Sequence, residues 1–209
     1  MNAQGDRVNR TRSPHQPMHS TKRRMIDLGL QQLLQQGYNS LGIQAVLDGS
    51  GVPKGSFYHH FADKEDFALQ VIDAYVADVH AVLDTCVSDQ SVPPLDRIRS
   101  FFRNVEGSYE REGYLGCLMG GLGQELSGVS DTFRQKIEWC FSSIADRLQL
   151  CLDAAKTAGT IRSDCDTREL AELLVNCWEG AALRSRLKRS PAPLATMLEF
   201  YLSSLRTTV

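Results

Sequence analysis

The sequence predicts an all-α protein of about nine helices, and three observations carry the prediction. Apolar residues recur every three to four positions through each long stretch. No stretch alternates apolar and polar side chains as a half-buried strand does, and no internal repeat occurs. Gly, Pro and small polar residues fall between the apolar stripes, where helices start and stop.

Residues 1–19 are polar, contain Pro14 and Pro17, and have no period; they read as a disordered basic arm. A first helix is expected over residues 21–36. Ser20 or Thr21 can cap it, Ile26, Leu30, Leu33 and Leu34 form its inner stripe, and Gly37 closes it. Leu41 to Phe61 (LGIQAVLDGSGVPKGSFYHHF) is the stretch the rest is organised around. Ile43, Val46 and Leu47 give a short helix an inner face, Gly49 and Gly51 allow a sharp turn, and Pro53 suits the start of a second short helix. That second helix carries small, polar and aromatic residues where an apolar stripe would stand. A helix-turn-helix reads this way when its second member must lie in a DNA groove.

Asp63 and Asp66 stand three apart, as a capping pair for a long helix from Lys64 to about Thr85. Residues 95–112 form the next helix, closed by Gly113. The segment 113–128 is so rich in glycine that it makes a poor isolated helix, and dense glycine goes with close backbone packing or ligand access. A long helix starts at Asp131 and ends at Gly159, another covers residues 167–188, and Pro191 and Pro193 open the last.

Hydrophobic residues make up 42% of the chain and charged residues 23%, the balance of a soluble globular protein. No run of about 18 apolar residues occurs, so no membrane span is expected. Residues 1–20 lack the apolar centre of a secretory signal. The six cysteines are scattered without a CxxC pair, which fits a reduced, cytoplasmic protein better than a disulfide framework. The net charge of −2 hides an asymmetry: residues 1–64 carry +4 and the remainder −6. A basic head on an acidic body suits a head that binds a polyanion.

GVPKGSFYHHFADKEDF, preceded by Gly37-Tyr38, resembles the DNA-binding head of TetR-type transcriptional regulators. The matching frame is Lys54-Gly55-Ser56-Phe57-Tyr58 with Phe61, then Lys64-Glu65. The resemblance spans about residues 21–68. It implies a helix-turn-helix domain over 20–66, a ligand-binding and dimerisation domain over 67–209, and a homodimer on a pseudo-palindromic operator of double-stranded DNA. Pairing is expected through the last two long helices. LGCLMGGLGQE (115–125) and WEGAALRSRLKRSPAPL (178–194) are further similar to the acrylate-utilisation branch of that family and, at more distance, to its N-ethylmaleimide-responsive branch. In the latter the cysteine of Gly-Cys-Leu reacts with electrophiles, and the matching position is Cys117.

The candidate DNA-facing residues are Lys54, Gly55, Ser56, Phe57, Tyr58, His59 and His60 on the second short helix. Thr21, Lys22, Ser40, Gln44 and Lys64 flank it. Phe57 either packs on a thymine methyl or sugar or sits half-buried in the head. Lys22 and Arg23 place cations near a helix start, which phosphates opposite them would explain. His59 and His60 do not suit a metal, because adjacent helical side chains diverge by about 100°. No metal or cofactor is expected. The candidate effector-binding residues are Phe102, Tyr109, Cys117, Gln124, Trp178, Glu179 and Arg184. Arg184 or Arg186 would hold a carboxylate in a bidentate contact. Cys117 is either a reactive thiol or a small residue in a glycine-rich packing segment, since Arg111 is the nearest cation in sequence. No catalytic constellation stands out, so no enzyme is expected. The expected activity is repression relieved by a small effector bound in the body, which the narrower resemblance implies is acrylate-like, with a covalent electrophile sensor and a DNA-free interaction module as the rival classes.

Overall fold

The computed structural model describes residues 18–206, with side chains from Thr21 onward. Among these residues there are nine helices and one isolated antiparallel bridge, Ile161 to Arg206. No helix there is long and apolar enough to cross a membrane. The expected basic arm lies outside the described residues except at its end. There α1 (Met18–Gln36) begins three residues earlier than its capping residues suggested.

The helix-turn-helix consists of α2 (Ile43–Ser50) and α3 (Lys54–His60). Gly51 caps α2 in the left-handed region at φ 65°, which costs glycine nothing. Gly49 has a different job: a Cβ there would press to 3.2 Å from the Leu28 side chain of α1. Next comes α4 (Lys64–Ser88). The Asp63 carboxylate accepts the Asp66 N–H at 2.8 Å, and Asp66 accepts the Ala62 N–H at 2.8 Å. The Asp63 cap is the one the spacing implied; Asp66 reaches back one residue beyond the N-cap N–H that a capping box would use.

The remaining helices are α5 (Pro94–Arg111), α6 (Leu118–Leu126), α7 (Asp131–Thr157), α8 (Thr167–Lys188) and α9 (Ala192–Leu205). The turn into α6 uses left-handed backbone at Gly113, Tyr114 and Gly116. Tyr114, at φ 60°, is the strained member.

The buried side chains form two clusters. The lower joins α1 to α3 and the first half of α4 to α6 and the start of α7, through Leu118, Leu122, Phe133 and Ile137. The upper joins α5, the rest of α7, α8 and α9. Cys117 and Phe141 pack against both. The apolar interior of the head therefore continues past residue 66, through Val76 and into α6.

Candidate nucleic-acid interface and ligand cavity

Helix α3 is held from below by Phe57, which is 0% exposed. Its ring lies 5.0 Å from Phe61 and 5.2 Å from Phe67. The expectation that Phe57 reaches DNA is therefore corrected: a fully buried ring cannot touch a groove. It sets the height and roll of α3 on the head. With Phe57 pointing in, Lys54, Gly55, Tyr58 and His59 are exposed, and Ser56 and His60 are half-buried. Tyr58 is 54% exposed, far more than a packing role needs. Nothing lies within 4 Å of where a Gly55 Cβ would stand, so the backbone there can approach another surface closely. His60 has its pKa lowered by burial, then by His59 and by Lys22.

The flanking candidates divide. Ser40 and Gln44 are exposed, and Gln44 donates to Asp48 at 2.8 Å. Thr21 and Lys22 are half-buried, with the Lys22 ammonium 5.7 Å from the Phe61 ring centre. Lys64 places its ammonium 4.7 Å from the Tyr38 ring centre and donates to the Asn39 carbonyl at 3.3 Å. Arg23 is spoken for: it bonds Asp27 at 2.8 Å and Asp78 of α4 at 3.1 Å. Its place near a helix start thus needs no phosphate to explain it.

The second site lies where the two apolar clusters meet. Phe102 and Tyr109 of α5, Cys117, Trp178 and Glu179 of α8, and Tyr75 of α4 line a cavity of about 40 Å³. Five of the seven expected effector residues come together here. Phe102 and Trp178 stack at 4.3 Å between ring centres. An outer groove of about 740 Å³ shares the wall formed by Cys117, Met119, Phe141 and Glu179. Gln124 lines only this groove. Arg184 lines neither space and is exposed, which corrects its assignment; Arg186, two residues on and turned roughly 200° about the helix, lines the groove instead.

Cys117 caps α6 at its N-terminus, with φ −81°. The N–H groups of Gly120 and Met119 favour its thiolate, as a helix N-terminus should. Burial and the adjacent Glu179 carboxyl oppose them and win, so the thiol is pushed up. A standing nucleophilic thiolate is not what this environment stabilises. Burial pushes Glu179 itself up to about 7, against the hydrogen bond of the Cys117 thiol, which favours the carboxylate. A Cβ at Gly120 would collide with the Glu179 carboxyl, so glycine is what lets α6 lie over it. Burial, then Cys117, also pushes the Tyr75 and Tyr109 hydroxyls up, which keeps them as neutral donors.

Tyr75, Phe101 and Phe141 are the aromatic cavity residues that sequence reasoning missed. Tyr75 shares an apolar face of α4 with Val71 and Val79, and its hydroxyl is the polar tip that could have marked it. Among the described residues no group of three His, Cys, Asp or Glu side chains is placed to hold a metal ion.

Residues 25–71 match the tetR family of bacterial regulatory proteins, and residues 94–201 match the tetracyclin repressor-like C-terminal domain. The chain is similar to the transcriptional regulator AcuR of Cereibacter sphaeroides, with 39% identity over 81% of this chain and 78% of AcuR. It is also similar to the repressor DhaR of Mycobacterium sp. strain GP1, with 32% identity over 88% of this chain and 91% of DhaR. Among solved structures, the regulatory protein TetR from Rhodobacter sphaeroides superposes with a TM-score of 0.82 at 36% identity, over 89% of this chain and 97% of that one. The reduced form of Escherichia coli NemR superposes with a TM-score of 0.79 at 26% identity, over 90% and 98%.

Proposed function

Because the chain belongs to the TetR family of bacterial transcriptional regulators, we propose that it is a repressor, not an enzyme, released from its operator when a small effector fills the cavity between Tyr75, Tyr109, Cys117 and Trp178. The observation that carries this reading is that two helices join the head to that cavity. Helix α4 has Phe67 and Val71 in the head's apolar cluster and Tyr75, Val76 and Val79 on the cavity wall. Helix α6 starts at Cys117 in the cavity wall and ends beside the head, where Glu125 binds Tyr38 and Asn39.

The head, residues 20–66, reads DNA with Lys54, Gly55, Ser56, Tyr58, His59 and His60. Thr21, Lys22, Ser40, Gln44 and Lys64 flank them toward the phosphates. The body, residues 67–209, takes the effector and a second copy of the chain. Leu173, Leu183 and Leu187 of α8 and Phe200 of α9 are exposed, Phe200 at 74%. Such an apolar face supports pairing of α8 and α9 about a two-fold axis in a cytoplasmic homodimer. Two-fold pairing suits a pseudo-palindrome whose half-sites lie about 34–36 Å apart. A coupling of ~1–3 kcal/mol between cavity and head would lower operator affinity roughly 5–150-fold.

Anisotropy with a labelled duplex from upstream of its own gene, with and without candidate effectors, tests this. Tight, salt-sensitive binding by a dimer that an effector weakens supports the reading. Binding that no duplex competes for specifically, or a monomer with full affinity, overturns it. The rival reading, covalent sensing at Cys117, is disfavoured by the neutral thiol beside Glu179.

A further inference from the structure

Among the described residues the wall of the inner cavity holds one carboxylic acid, Glu179, and no lysine, arginine or histidine. The side chain is desolvated, and the Cys117 thiol lies within hydrogen-bonding reach of it. The other polar groups in the wall are the hydroxyls of Tyr75 and Tyr109 and the indole N–H of Trp178, all of which donate. Arg186 lines the outer groove but not the cavity. The cavity is small, about 40 Å³, which restricts the occupant to a small molecule.

We infer that this cavity selects an uncharged small carbonyl or hydroxyl compound and rejects the carboxylate anion of the same size, with Glu179 as the residue that imposes the choice. The inference rests on the cavity being the effector site. A carboxylate entering it would lose its water, find no cation, and face a second carboxyl at close range; desolvation and like charge both oppose it. An uncharged carbonyl meets what the wall supplies, namely tyrosine hydroxyls that stay neutral and a Glu179 that is readily protonated. A small ammonium ion would find a carboxylate and aromatic faces, but it would surrender hydration to a wall that is otherwise largely apolar. The expectation of a carboxylate held by Arg184 or Arg186 is not met inside the cavity, because neither side chain borders it.

Propionamide, propionate and n-propylammonium share size and differ in charge, so they test the choice. Each is titrated calorimetrically into the full-length protein at pH 8, and into Glu179→Gln and Val105→Trp variants. Val105 lines the cavity, so the tryptophan fills it. Wild-type protein should bind propionamide at least about tenfold more tightly than either ion. Glu179→Gln, nearly the same shape, should close most of the gap by improving propionate. Val105→Trp should abolish binding. If propionate or propylammonium equals propionamide in the wild type, or if Glu179→Gln leaves the gap unchanged while Val105→Trp still abolishes binding, the charge selection is wrong and the cavity reading survives. If no probe binds, or if Val105→Trp binds as the wild type does, the cavity is not the effector site and the selection falls with it.

Discussion

The carboxylate of Glu125, at the end of α6, accepts the backbone N–H of Tyr38 at 2.8 Å and that of Asn39 at 2.7 Å. These two donors follow the C-terminus of α1, where Gly37 turns at φ 76°. A Cβ at Gly37 would run into the same carboxylate. A side chain 87 residues away in the sequence thus fixes the chain just before the helix-turn-helix. The Tyr38 ring adds to the joint, with Phe133 of α7 edge-on at 5.0 Å and Lys64 on it.

Replacing Glu125 by Ala should leave those two N–H groups without their acceptor, at a cost of ~1–3 kcal/mol. Glu125→Gln should cost less, since its oxygen can still accept one of them. The expected signature is uncoupling: effector binding measured by calorimetry stays near wild type, while the effector's influence on operator affinity shrinks. Unchanged coupling in Glu125→Ala would mean that α4 alone carries the signal.

On α3 the inward and outward residues should fail differently. Phe57→Ala removes a fully buried ring and should cost roughly 3–5 kcal/mol of stability in chemical denaturation. Lys54→Ala should leave the fold intact and lower the slope of log affinity against log salt by about 1. Tyr58→Phe should weaken specific binding with little change in the slope. An unaltered salt dependence in Lys54→Ala would remove that residue from the phosphate contacts.

Stability should depend on pH through Glu179. Its folded-state pKa is pushed up from the ordinary value of 4.5 to about 7. Below about pH 4.5 the side chain is protonated whether folded or unfolded, and burial costs no ionisation. As pH rises through 7 the unfolded chain has already ionised while the folded one resists, so this stabilising contribution is lost. Glu179→Gln should therefore unfold at nearly the wild-type temperature at pH 4.5 and be more stable by roughly 1–3 kcal/mol at pH 8. Equal differences at the two pH values would show that Glu179 titrates normally.

Cys117 should be slow toward soft electrophiles at neutral pH, because a protonated thiol beside a carboxyl is a poor nucleophile. Intact mass after N-ethylmaleimide treatment should show partly exposed cysteines such as Cys165 modified first, and Cys117→Ser should keep the effector response. Rapid, stoichiometric labelling at Cys117 that releases DNA would restore the covalent reading.

Much of the fold was legible because its signals are local. Gly51 closing α2 and the Asp63 cap of α4 each act across one turn, and the apolar stripes are periodic over whole helices. Phe57 was ambiguous because seven residues are too short for a stripe to declare its face. Arg23 looked free because its partner Asp78 lies on α4. The choice between Arg184 and Arg186 turns on helix phase relative to a groove no local pattern defines. Glu125 carried no signal at all, since its role exists only once α6 is laid across the end of α1.

The glycines of α6 give this joint a further property. Gly120, Gly121 and Gly123 in a nine-residue helix handicap it by roughly 3 kcal/mol relative to alanine, so α6 persists on the strength of its neighbours. It should be the first helix to open in native-state hydrogen exchange, well below the global unfolding free energy. Gly121 has open space where a Cβ would go, so Gly121→Ala should slow that opening, whereas Gly120→Ala would strike Glu179. The sensor would then be tuned by the lifetime of one short helix as much as by any shape it adopts.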